Sequence, residues 1–377
     1  MICLFCALAQ WAWENFFMNR LHATLLTAAF FSASAFPVVA FAQSAAGNTG
    51  TGEAPRASIE APDLSSRKVI DRTPKVEADE ASRNLAMPTE EELTKGFATR
   101  ARSKDGTVRE IAPDPELIEQ IRSFIQGTST IIDKPGLAPE EELDEASRQV
   151  FGEDDRVQIT DTRKYPFNTI GQIWSKNSKG EWSICSGTMI GKSAVLTAAH
   201  CLYSHDDGGW LADYEFYPGL NGQNDAPYGG FGFVDAYILE GYITNYQGFY
   251  GSVVPWDLAV LILDKPAGET VGWMGYATYD PAYPFTANII GYPGDKPVST
   301  MWGTACPVDP ATATENNFSY LCDTYPGSSG SSVYELNGQT KDRFIVGVNI
   351  AETPTENIAL RLNKPYFQWV NNIAKAN

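Results

Sequence analysis

Three polar residues of this 377-residue chain stand where hydrolytic chemistry could be built. His200 lies in Leu196-Thr-Ala-Ala-His-Cys201, where an apolar run ends in small residues that let backbone pack closely around an imidazole. Asp257 opens onto the apolar run Leu258-Ala-Val-Leu-Ile-Leu263. Ser329 sits inside Pro326-Gly-Ser-Ser-Gly-Ser331, a tight turn whose glycines permit positive φ and present a hydroxyl beside free backbone N–H groups. Singly, each has an ordinary structural reading: a histidine packed after a strand, a strand-end cap, a flexible turn. Together they supply what a weakly nucleophilic serine needs, namely a neighbouring base, an acid to orient it, and donors for an oxyanion. An α/β-hydrolase is disfavoured, because its G-x-S-x-G elbow needs glycine where Ser331 stands and its chain order is Ser, acid, His.

Composition excludes other chemistries. The net charge of −18, from 28 Lys and Arg against 46 Asp and Glu, leaves no basic surface for nucleic acid or anionic lipid. Three histidines (His22, His200, His205) cannot furnish a multi-histidine metal centre. His205 with Asp206-Asp207 reads as a solvated loop rather than a metal site, with a calcium site in the acidic loops left open. Cys3 and Cys6 lie in an apolar leader, whereas Cys185 and Cys201, and Cys306 and Cys322, are each 16 positions apart. Those equal local separations favour two disulfides, each worth about 3 kcal/mol, over a Cys₄ metal site, since no C-x-x-C pair occurs among the four.

The elements that must position these residues occupy only part of the chain. From Met18, the expected true start, Arg20 precedes the apolar run 21–41, and Ala40-Phe41-Ala42 offers a cleavage site before Gln43. Residues 1–42 therefore read as a leader for export, extracellular or periplasmic. A membrane anchor is disfavoured by the Ser, Thr and Pro37 within the run. Residues 43–149 hold no Trp or Tyr and only Phe97 and Phe124, with 21 acidic and 14 basic residues, so they cannot build a large core alone. Residues 43–66 read as disordered and 139–148 as helical. A helix starts at Asp114-Pro115-Glu116, presents Leu117, Ile118, Ile121, Phe124 and Ile125 on one face, and stops at Gly127, so it needs a partner surface. This reads as a removable, partly helical prosegment. Residues 150–377 carry 7 Trp, 17 Tyr and 10 Phe in short apolar runs punctuated by Gly and Pro, predicting an all-β barrel or sandwich pair with one helix at 366–376. The Tyr- and Gly-rich stretch 214–251 fits either a binding platform or aromatic core packing.

Thr197-Ala-Ala-His-Cys201, Asp257-Leu-Ala-Val260 and Gly327-Ser-Ser-Gly330 resemble the three signatures of chymotrypsin-like serine endopeptidases, in the same chain order. The Gly327-Ser-Ser-Gly-Ser331 ending and the opening at 150–162 are most similar to the bacterial glutamyl endopeptidase (V8-like) branch. The resemblance spans 150–377. It implies two six-stranded antiparallel β-barrels packed at right angles, the site between them, protein or peptide substrates, a monomer and no cofactor. It implies Ser329 as nucleophile, His200 as base, Asp257 as its orienting acid, and the N–H groups of Gly327 and Ser329 as oxyanion donors. It also implies a mature chain starting at Val150, cut after Arg148 or Gln149, whose freed α-amine helps form the substrate pocket. Residues 43–149 would then be an intramolecular inhibitor or chaperone. Asp323, six residues before the nucleophile, would floor a pocket for Lys or Arg at P1. Thr324 matches a residue that holds a P1 glutamate in the glutamyl branch, while Asn349 stands where that branch places a histidine. An acidic or uncharged P1 fits if Asp323 instead bonds local backbone. Two rival roles are a catalytically silent binding protein on the same fold and a secreted serine esterase.

Overall fold

The computed structural model describes residues 57, 59, 64–74, 89–127, 154, 156–278, 284–338, 340–353 and 355–377. The leader 1–42, the segment 139–148, the expected cleavage point and Val150 lie outside the described residues. The first elements are helix α1 (Glu90–Gly96), strands β1 (Thr99–Ser103) and β2 (Val108–Ile111), and helix α2 (Pro115–Ile125). The strands β3 (Val157–Ile159), β4 (Ile170–Lys176), β5 (Trp182–Met189) and β6 (Ala194–Thr197) follow. Then come β7 (Tyr203–Ser204), β8 (Gly209–Trp210), β9 (Asp213–Pro218), β10 (Phe231–Leu239), the short helix α3 (Glu240–Thr244) and β11 (Ala259–Leu263). The second half holds β12 (Gly275–Tyr276), β13 (Phe285–Gly291), β14 (Met301–Val308) and β15 (Asn317–Tyr320). It ends with β16 (Ser332–Leu336), β17 (Arg343–Glu352), β18 (Asn357–Arg361) and helix α4 (Lys364–Ala376).

Six strands in the order β11-β6-β5-β4-β9-β10 close on themselves through β10–β11 pairing, giving the antiparallel barrel that the strand pattern predicts. Trp174, Tyr214, Phe216 and Phe233 are fully buried in the core. The aromatic stretch 214–251 is therefore core to a large extent, not a platform: Tyr217, Phe231 and Tyr242 are buried as well. Gly171 is required where it stands, since a Cβ would run into the Phe216 ring. The second sheet runs β15-β18-β17-β16-β13-β14-β3. Its hydrogen-bonded path does not close, but β14 and β15 touch, and Cys306 in β14 is bridged to Cys322 just past β15 with the Cα atoms 5.3 Å apart. The seam that hydrogen bonds leave open is thus held by a covalent bond. Both cysteine pairings follow the equal spacing, with Cys185–Cys201 as the other bridge.

The described residues before 150 pack against the second half, as a segment too poor in apolar residues for a large core of its own requires. Residues 89–127 share the compact unit 42–377. β1 pairs with β10 in register Thr99↔Leu239 to Ser103↔Asp235, and β2 pairs with β1. The predicted helix is present with Asp114 as its cap, and Leu117 and Ile121 are buried; the partner its apolar face requires is α4. The stretch 43–66, read as disordered, is partly ordered: Leu64 is buried and Ile59 bridges Gly230; just beyond it, the Arg67 guanidinium lies 3.9 Å over the Trp182 ring. Helix α4 begins at Asn363, whose side chain caps it ahead of Pro365, and covers β11, which is why that strand is buried on both faces. Among the described residues no helix is long and apolar enough to cross a membrane.

Replacing Cys306 and Cys322 together by serine should lower the unfolding free energy by about 3 kcal/mol, read by urea titration with the first bridge intact. A loss below about 1 kcal/mol would show that packing alone holds the seam.

Candidate active site

Two consecutive residues of β5 hold the loops that carry His200 and Ser329. Cys185 is bonded to Cys201 and so fixes the turn Ala199–Cys201 that carries His200 at the end of β6. Ser186 N–H donates to Ser329 O at 2.8 Å, its Oγ–H donates to Gly327 O at 2.9 Å, and the same Oγ accepts from Tyr292 N–H at 2.9 Å. Gly330, at φ +82°, lies so close that a Cβ would strike Thr197 Oγ1 and Ser186 O. The Cys201 sulfur is 3.8 Å from Ser329 O. The sequence-predicted nucleophile loop is therefore seated against the strand end that leads to His200.

Asp257 is fully buried at the end of the turn Tyr250–Trp256. Its Oδ1 accepts from His200 N–H at 2.9 Å and its Oδ2 from His200 Nδ1 at 2.7 Å. A carboxylate facing Nδ1 selects the tautomer protonated there and leaves Nε2 as the basic nitrogen. Nε2 is buried and makes no hydrogen bond. Tyr250 completes the carboxylate's shell: its O–H donates to Asp257 Oδ2, with Ile350 O 3.2 Å from the phenolic oxygen. Burial first, then the neighbouring Asp257 charge, push this phenol well above its ordinary pKa, so it stays a neutral donor.

The N–H groups of Gly327, at φ +104°, and Ser329 have no hydrogen-bond partner among the described residues. Behind them, Asn349 makes four hydrogen bonds: its N–H donates to Ser331 O, its O accepts from Gly330 N–H, its Nδ2 donates to Ser328 O at 3.1 Å, and its Oδ1 accepts from Tyr320 O–H. Asp323 is 1% exposed. Thr324 Oγ1 donates to Glu352 Oε1 at 3.3 Å, and Asn357 Nδ2 holds Cys322 O at 2.8 Å, so segment 322–328 faces the ends of β17 and β18. Sequence reasoning missed Ser186, Tyr250 and Glu352. Only Ser186 carried a signal, its place beside a bridged cysteine.

His205 corrects the solvated-loop expectation: it stacks on Tyr246 at 3.7 Å and bonds Tyr242 O through Nε2 at 3.0 Å. Burial lowers its pKa, outweighing that bond. Among the described residues the one grouping of potential metal ligands is Cys185, His200 and Cys201, and its two sulfurs are tied in a disulfide and cannot act as thiolates. Near the expected mature terminus, the buried Arg156 guanidinium is gripped by Asp154 at 2.9 Å and by Asp295 at 2.5 Å, with Lys296 also on Asp154. The Arg156 hydrogen bonds hold the Asp154 carboxyl far below its ordinary value of 3.8.

Tyr250→Phe should lower kcat about ten- to a hundredfold with KM little changed, the cost of one hydrogen bond to a buried charge, roughly 1.5–3 kcal/mol. An unchanged kcat would remove Tyr250 from the site. Because the folded pKa of Asp154 is depressed, its stabilisation is present above the unfolded value and lost as pH falls through the carboxylate range. Asp154→Asn should therefore be less stable than the parent at pH 7, the gap closing in denaturant titrations carried below about pH 4. A gap independent of pH would refute the ionic anchor.

Comparison with known proteins agrees with this geometry. Residues 185–341 match the trypsin-like peptidase domain family. The chain is 36% identical over 189 residues to a glutamyl endopeptidase of Bacillus licheniformis, covering 50% of this chain and 55% of that protein. It is 29% identical over 230 residues to a Bacillus subtilis protein named extracellular metalloprotease, covering 59% and 70% respectively. A solved Glu endopeptidase in complex with MPD superposes with a TM-score of 0.51 at 28% identity, over 59% of this chain and 98% of that one. The chain thus spans little more than half the length of the first of these relatives. Barrel, buried His200–Asp257 pair and matches together make the chain similar to the chymotrypsin-like serine endopeptidases, the glutamyl endopeptidase (V8-like) branch among them.

Proposed function

We propose that the chain is a secreted serine endopeptidase made as a zymogen. The leader 1–42 directs export, and a cut after Arg148 or Gln149 frees Val150. The observation that carries the catalytic reading is the wholly buried Asp257, which grips both His200 N–H and Nδ1 while leaving Nε2 without a protein partner. Ser329 Oγ attacks the scissile carbonyl as His200 Nε2 takes its proton. Asp257 holds the tautomer and stabilises the imidazolium. The N–H groups of Gly327 and Ser329 bind the oxyanion, a contribution of roughly 3–4 kcal/mol per donor. His200 then protonates the leaving amine, and water, deprotonated by the same nitrogen, cleaves the acyl-enzyme.

For the P1 residue, the chemistry of the wall favours Lys or Arg. Asn349 turns one amide N–H to Ser328 O and its Oδ1 to Tyr320, and as a neutral amide it lacks the positive charge that a histidine could offer a substrate carboxylate. Glu352 brings a second carboxylate to Thr324, beside Asp323. Two carboxylates repel a glutamate side chain and attract a cation. The resemblance to glutamyl endopeptidases thus extends to fold and triad, while the specificity of this chain follows its own wall residues.

A fluorophosphonate probe should label the full chain after processing and fail on Ser329→Ala; absence of Ser329-dependent labelling would leave only the silent binding role. A quenched peptide library varied at P1, run beside an ester series, should show Lys and Arg peptides cut fastest. Asp323→Ser and Glu352→Gln should each lower kcat/KM for those peptides at least about tenfold, roughly 1.4 kcal/mol. A Glu preference, or a P1 profile untouched by both changes, overturns the electrostatic reading, and ester turnover without peptide turnover makes the protein an esterase.

A further inference from the structure

The segment expected to leave on activation is built into the barrel and into the support of the candidate acid. β10 gives one edge to β11 along its length, but on the other edge β9 pairs only at Phe231 and Gly232. β1 takes over that edge from Asp235 to Leu239. Without β1, five residues of a long strand would present unpaired N–H and C=O groups, a template for aggregation. Leu93, Phe97, Ala101, Leu117 and Ile121 are each less than 5% exposed and belong to the same apolar cluster as the barrel interior.

Polar groups on the barrel side are also committed to this segment. Glu240, 4% exposed, receives Arg100 through Nε at 2.7 Å and Nη2 at 2.6 Å, a two-pronged pair. Departure of the segment would strand that carboxylate. Trp369 Nε1 donates to Thr99 Oγ1 at 2.8 Å, Glu240 N–H donates to Ala98 O at 2.7 Å, and Asn372 Nδ2 donates to Asp114 Oδ2 at 2.8 Å.

The segment's apex reaches the residue next to Asp257. The Trp256 indole is pressed between Gly96 of α1 and Gly241 of α3, and a Cβ at either would collide with the ring. Phe97 meets Trp256 edge-on at 5.6 Å and Tyr366 at 4.9 Å, and Tyr366 O–H holds Pro255 O at 2.6 Å. Leu258 N–H donates to Trp256 O at 2.9 Å, so the backbone on both sides of Asp257 is fixed by what grips Trp256.

We propose that residues 89–127 are a permanent part of the catalytic domain: they stay on the barrel when the chain is cut between them and residue 154, and Phe97 is a positioning residue that holds Asp257 through Trp256. The segment is therefore a retained partner of the second half, with a supporting rather than a plugging role. The positioning half rests on Asp257 being the triad acid; the retention half rests on packing alone.

Both halves are tested on the full chain. A site-specific protease sequence inserted between residues 127 and 154 should, once cut, yield two pieces that co-elute on gel filtration and part only in denaturant. A 154–377 piece that elutes alone and stays folded and active overturns retention. For positioning, kcat is measured per active site titrated by a burst of acyl-enzyme, so that misfolded molecules do not count. Phe97→Ala should lower kcat per site about ten- to a hundredfold with KM nearly constant, and Phe97→Leu should restore most of it. If Phe97→Ala only reduces the titrated fraction, positioning is refuted. If it does not fold, Phe97→Val decides, a fall in kcat per site supporting positioning and an unchanged value refuting it. Co-elution needs no activity, so a chain inert to the Ser329 probe would refute the protease reading and still report on retention.

Discussion

The site depends on the alternation of a single strand. In β5 successive side chains leave opposite faces, so Cys185 and Ser186 reach different loops from adjacent Cα atoms. One is bonded to the loop of His200, the other hydrogen-bonds the loop of Ser329 on both sides of Ser328. Ser329 and His200, 129 positions apart in the chain, are thereby referred to one rigid backbone segment. Slipping the register of β5 by one residue would exchange the two faces and part the loops. The buried, glycine-mediated contact of Gly330 with Thr197 closes the remaining gap, and no side chain could occupy that position without pushing the loops apart.

A second constraint is the desolvated carboxylate. Burying Asp257 completely is tolerable only because three donors, His200 N–H, His200 Nδ1–H and Tyr250 O–H, satisfy it. The backbone donor is as informative as the ring: it locks the carboxylate plane to the turn that carries the imidazole, so the acid and base move together. Burial keeps the phenol protonated, and that neutral donor adds no second negative charge beside the carboxylate.

What could be read from the sequence is what is local. Equal cysteine separations gave both bridges, Asp114 and Gly127 bounded a helix, and the three motif residues stood out because each sits at the end of an apolar run. What could not be read is contact between distant segments. A stretch with two phenylalanines looks too poor in apolar residues to fold, yet it need only contribute a few, since the barrel provides the rest of the core around Phe97 and Ile121. Composition measures whether a segment can bury itself, not whether a neighbour lacks an edge strand. Tyr250 is similar: a tyrosine in a Tyr-rich loop has no mark until folding brings it to Asp257. His205 was misjudged because Asp206-Asp207 suggested solvent, while the ring that stacks on it, Tyr246, lies 41 positions on.

The wall residues show why kinship stops short of specificity. Catalysis asks for one geometry at the carbonyl, so the parts around His200, Asp257 and Ser329 tolerate little change once assembled. The walls meet a side chain whose charge is set by the substrate. Asn349 fills its place by bonding Ser328 and Tyr320, which steadies the Ser329 loop. Glu352, brought to Thr324, sets a second carboxylate beside Asp323 on the same segment.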